Sequence, residues 1–135
     1  MTDRCAKELE ILIKELDREY YSGQLFFSKY KETEGGSIES IPCGFGDIYA
    51  RIGQVRTWLN RPSNKEIPNK IICLCDGMLK YYDTIQFFLS RKHNNKWQYI
   101  SCGCGNIHSR IMQSEIWMDV AMNEYFTHGE QDDEL

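Results

Sequence analysis

Two close-set cysteine pairs, Cys73-Leu74-Cys75 and Cys102-Gly103-Cys104, with His108 one helical turn past the second, are the side chains best suited to chemistry. Thiolates and imidazoles are the donors that a tetrahedral zinc ion takes, at about 2.0–2.3 Å. On a helix that included Cys104, His108 would lie at i+4 on the same face, and Gly103 would let Cys102 fold back toward them. Cys102, Cys104 and His108 are thus three candidate ligands of a structural zinc, with Cys75 the fourth. Cys73 and Cys75 diverge by about 200° on a helix, so they cannot both face one metal. His93 is an alternative fourth donor. Burial is the opposing reading, since a free cysteine packs as a small hydrophobe. The single residue between paired cysteines also departs from the two to four of structural zinc motifs.

A second place for chemistry is Pro42-Cys43-Gly44-Phe45-Gly46-Asp47. A cysteine just before a helix gains thiolate character from the dipole and could act as a nucleophile. The same residues also read as a glycine-rich turn in which Asp47 caps the next helix and Cys43 packs. Arg51, Arg56, Arg61, Lys65 and Lys70 form a basic stretch, and Arg91, Lys92, Lys96 and Trp97 could extend it into a phosphate-contacting surface. Such charges equally suit a solvated helix face. Cys104-Gly105-Asn106-Ile107-His108 resembles the Cys-Gly-x-x-His signature of small cysteine-rich proteins of some rod-shaped plant viruses. The likeness covers these five residues and does not reach those proteins' N-terminal cysteine cluster. It implies a helix after the signature and a silencing-suppressor or regulatory role.

Among 135 residues, 41% are hydrophobic and 27% charged, enough for one core and too apolar for a disordered chain. The formal charge of −4 comes from the tail. Glu130, Asp132, Asp133 and Glu134 leave the remaining acids balanced by the 16 Lys and Arg, without the broad basic footprint of a general nucleic-acid binder. The polar start lacks the apolar region of a secretory signal, and no stretch reaches the ~18–20 apolar residues of a spanning helix. An intracellular, cytoplasmic protein with reduced thiols is the expectation. Asp132-Asp133-Glu134-Leu135 is similar to endoplasmic-reticulum retention tetrapeptides, yet reads more simply as a solvated acidic tail.

Helical spacing of apolar residues predicts four amphipathic segments: about Asp3 to Tyr30, Phe45 to Asn60, Asn69 to Lys92, and from Asn106 onward. The stretch from Glu32 to Gly44 reads as a polar loop, Asn94-Asn95-Lys96 as a turn, and Trp97 to Ile100 as one short extended segment. No internal repeat is evident. The sum is an all-α domain spanning residues 1–129, a compact bundle of about four helices, followed by the tail 130–135. Paired carboxylates, a nucleotide loop and a nucleophile motif are absent, so enzymatic activity is not expected. The function predicted is that of an interaction protein, an adaptor, inhibitor or complex subunit of the kind found among viral and phage accessory factors, braced by zinc. Its partner is another protein rather than a membrane. A nucleic-acid regulator using Arg51–Lys70 and a cysteine-dependent enzyme are the alternatives.

Overall fold

Leu25, Phe26 and Phe27 follow one another and all three are buried, as are Phe87, Phe88 and Leu89. One helical stripe cannot bury three successive residues, but a strand covered on both faces does so naturally. The computed structural model describes residues 3–31, 36–62 and 67–127. It shows α1 (Asp3–Glu19), β1 (Ser22–Lys31), β2 (Ser37–Gly46), α2 (Ile48–Asn60), α3 (Asn69–Met78), β3 (Thr84–His93), β4 (Lys96–Cys104) and α4 (Ile107–Met122), then a π-helical turn over Asn123–Thr127. All four strands form one antiparallel sheet in the order β2-β1-β3-β4. The all-α expectation is therefore corrected to an α+β fold. The predicted first and third helices each end midway, and their second halves are the central strands β1 and β3. The predicted loop over 32–44 holds most of β2, and the extended segment at Trp97–Ile100 lies within β4. The tail 130–135 and the Lys65 position lie outside the described residues.

Helices cover both faces of the sheet. Leu9, Leu12 and Leu16 of α1 and Ile71, Cys75 and Met78 of α3 pack on Leu25, Phe27, Ile85, Phe87 and Leu89. On the opposite face Ile52, Val55 and Trp58 of α2 and Met118 and Ala121 of α4 pack on Phe26 and Phe88. Asn94 and Asn95, at φ 53° and 62°, make the two-residue turn between β3 and β4.

The two halves of the chain repeat each other, contrary to the sequence reading. Each half runs helix, strand, strand, helix. Leu25 and Phe87 occupy equivalent positions and face one another in the central β1–β3 pair, so a pseudo-two-fold axis passes between them, normal to the sheet. The equivalence extends to Gln24 with Gln86 and Phe26 with Phe88. Cys43-Gly44-Phe45-Gly46-Asp47-Ile48 matches Cys102-Gly103-Cys104-Gly105-Asn106-Ile107, and beyond it Arg51, Gln54 and Trp58 match Arg110, Gln113 and Trp117. Contacts obey the same symmetry. Arg51 Nη1 donates to Gln24 Oε1 (3.0 Å), and Arg110 Nη1 to Gln86 Oε1 (2.9 Å). Trp58 meets Phe88 edge-on at 5.2 Å, and Trp117 meets Phe26 at 5.7 Å. The Ser22–Ser90 hydroxyl pair closes one end of the central seam and Ser28–Thr84 the other.

Glycine is required where each half turns from its outer strand onto its second helix. Gly46 (φ +79°) and Gly105 (φ +92°) take left-handed backbone that other residues avoid. Helix caps follow at once: Asp47 accepts from the Tyr49 N–H (3.1 Å), and Asn106 accepts from those of His108 (2.8 Å) and Ser109 (3.3 Å).

Candidate functional site

The turn at Gly105 separates the predicted zinc ligands. Cys104 ends β4 and α4 begins at Ile107, so Cys104 and His108 do not share a helix. Cys102 and Cys104 pack toward α1 and α3, whereas His108 is exposed in the first turn of α4, on the other side of the sheet. His93 pairs with Lys96 at the far end of the hairpin from Cys104, which pairs with Ile85. Among the described residues no group of three or more His, Cys, Asp and Glu side chains could hold a metal ion. The described residues therefore do not assemble the ligand set of Cys102, Cys104, His108 and Cys75 drawn from the sequence.

Cys75 does meet Cys102 and Cys104: its thiol shares hydrogen bonds with both. The bond with Cys102, then burial, pushes the Cys75 thiol well above its usual range, while the bond with Cys104 pulls it the other way. Burial, then the neighbouring Cys75, raises Cys104 to about 11, and burial raises Cys43 to about 11. These thiols are protonated at neutral pH, the reverse of an activated nucleophile. Cys73 points outward from α3. In the native protein at pH 7, a disulfide reagent is therefore expected to modify Cys73 much faster than Cys43, Cys75, Cys102 or Cys104. Preferential modification of Cys43 or Cys104 would contradict this.

A pH dependence follows, because these folded-state pKa values lie above those of the unfolded chain. The stability contributed by keeping the thiols protonated is complete below about 9 and is lost as pH rises toward about 11. The urea midpoint is expected to fall across that window and to fall less in a Cys43→Ala, Cys104→Ala double variant. Identical profiles for variant and parent would rule the thiols out as the cause.

The basic stretch does not present one surface. Arg51 turns inward to Gln24, Lys70 is held by Glu19 and Glu15, and Arg56 reaches Met122 Sδ (3.0 Å). Arg91 lies over the Tyr20 ring at 5.1 Å and donates to Gln98.

Two grooves, equivalent under the pseudo-two-fold, lie between each second helix and the edge strand beside it. The larger, about 530 Å³, runs between α2 and β4, with Gln54, Trp58 and Ser101 at its base and Gly53, Thr57, Arg61 and Tyr99 around it. Its counterpart between α4 and β2 is about 250 Å³ and lined by Phe26, Pro42, Gln113, Ile116, Trp117 and Val120. Helix positions explain the difference. Gly53 and Thr57 on α2 and Arg61 just after it correspond in sequence to Met112, Ile116 and Val120 on α4, so one groove is roomier and carries polar groups while the other is narrowed by aliphatic side chains. Met112, Ile116 and Val120 lie at i, i+4 and i+8 and are each about 60% exposed. Exposed Glu115 and Asp119 flank this stripe on the side away from the groove.

Sequence reasoning missed the stripe because it assigned a single buried face to α4. The signal was present: α4 is apolar on nearly all sides, more than one buried stripe requires. Comparison with protein families, with curated proteins and with solved structures finds no match. No helix of the described residues is long and apolar enough to cross a membrane.

Proposed function

We propose that this protein binds another polypeptide through the outer face of α4 and the groove beside it. The observation that carries this reading is the unbroken stripe Met112, Ile116 and Val120, exposed along three helical turns beside the apolar groove based on Phe26 and Trp117. Aliphatic surface of this kind leaves water favourably only against a complementary partner. Glu115 and Asp119 along one margin select for basic residues opposite them. The occupant is accordingly an amphipathic helix with an apolar ridge flanked by Lys or Arg, docked in the helix-in-groove manner. The raised thiol pKa values count against the enzyme alternative, and the inward-turned Arg51 and the paired Lys70 against the nucleic-acid one.

Selection from a displayed library of helical peptides tests the reading. Enriched clones are expected to carry aliphatics at i, i+4 spacing with adjacent Lys or Arg, and to lose binding to an Ile116→Glu variant that remains folded by circular dichroism. Removing one buried isoleucine contact costs about 1.5–3 kcal/mol, a weakening of roughly ten-fold or more. Clones that bind the variant equally well would refute the proposal. So would sedimentation of the parent as a dimer that Ile116→Glu converts to monomer, because the face would then join two copies of this chain.

A further inference from the structure

We infer that the α2–β4 groove is a binding site for a compact aromatic anion, an aryl carboxylate or aryl phosphate, independent of the α4 surface. The pseudo-two-fold supplies an internal control. The twin groove is lined by Ile116 and Val120 of α4 where this one has Thr57 and Arg61, and a Cβ built at Gly53 on its rim would meet nothing within 4 Å. The resulting volume, about 530 Å³, is in the range of small-molecule sites.

The lining specifies the ligand. Tyr99 is half exposed and offers a ring face at one wall. Arg61 stands at the end of α2, with no ion pair among the described residues, and a guanidinium binds carboxylate and phosphate alike through two parallel hydrogen bonds. At the base, Gln54 and Trp58 are more than nine-tenths buried, yet Gln54 Oε1 and Trp58 Nε1 have no hydrogen-bond partner. Gln54 Nε2, by contrast, is fully used, donating to the Leu89 and Ile100 carbonyls at 3.0 Å each. A buried donor and a buried acceptor left unpaired one helical turn apart on α2 are costly, and a ligand whose ring hydroxyl or amide reached them would satisfy both. In the narrowed twin the residue at the equivalent sequence position is the uncharged Val120.

Titration of ¹⁵N-labelled protein with phenyl phosphate, benzoate and phenol tests this, because the three tryptophans give three indole N–H signals. Phenyl phosphate and benzoate are expected to move the Trp58 signal saturably and to leave that of Trp117 in place. Uncharged phenol is expected to bind about ten-fold more weakly, and Arg61→Gln to remove that advantage. Gly53→Met, which sets a long side chain on the rim of the groove and suits a helix better than glycine, is expected to abolish the shift in a folded protein. The inference fails if Trp58 does not respond to either anion, if Trp117 responds equally, or if Gly53→Met binds like the parent. A response to phosphate alone, or to carboxylate alone, that Arg61→Gln removes, would support the site and identify its anion.

Discussion

Replacing Phe88 with alanine is expected to destabilise the protein by about 3–5 kcal/mol, the usual range for a fully buried phenylalanine. Phe88 lies at the middle of β3 with no exposed surface, edge-on to Trp58 at 5.2 Å and to Phe26 at 6.1 Å. Truncation leaves a cavity beneath α2 that neither the sheet nor a packed indole can fill without moving. A fall of roughly 10–20 °C in Tm should accompany the loss. The equivalent Phe26→Ala should cost a similar amount, and the double variant should lose less than the sum, because the two rings touch. Urea unfolding of the four proteins checks all three statements. A loss under about 1 kcal/mol for Phe88→Ala would mean that α2 does not cover β3 as described.

Gly46→Ala and Gly53→Ala are expected to act with opposite sign, although both add one methyl group. At Gly46 the left-handed backbone alone costs about 1–2 kcal/mol for an L-residue. The new Cβ would also collide with the Tyr21 carbonyl and lie 2.8 Å from Ser22 Cα, both backbone atoms that cannot swing aside. The combined loss should exceed about 2 kcal/mol and is read from the urea midpoint. Gly53 lies inside α2 on its exposed side, with open space where the methyl would go. There alanine should stabilise by about 0.8–1 kcal/mol through helix propensity. A stabilised Gly46→Ala or a destabilised Gly53→Ala would contradict the positions assigned to α2 and its leading turn.

The parts of this fold that show in the sequence are those governed by local chemistry. Asp47 and Asn106 cap helices whose apolar stripes begin just after them, and Asn94-Asn95 makes the turn its residues favour. The central strands were hidden by their own burial. Gln24, Phe26 and Ser28 face one helix layer while Leu25 and Phe27 face the other, so no polar alternation marks β1, and Tyr20, Phe27 and Tyr30 fall at helical spacing by coincidence. β2 was obscured by Pro42, which an edge strand tolerates because one side of its backbone has no neighbour. The halves went unmatched because Cys43, Phe45 and Tyr49 correspond to Cys102, Cys104 and His108, and the second set drew attention as ligands rather than as copies. The meeting of Cys75 with Cys102 and Cys104 depends on α3 crossing the sheet, which no spacing along the chain encodes.

The exchange of tryptophans across the axis makes the halves interdependent. Each αββα half sends its indole to roof the other's phenylalanine, so a half on its own would expose an aromatic and leave its tryptophan without a seat. Proteolytic nicking between α2 and α3 should accordingly leave two fragments that stay associated and melt together, each serving as the missing lid of the other.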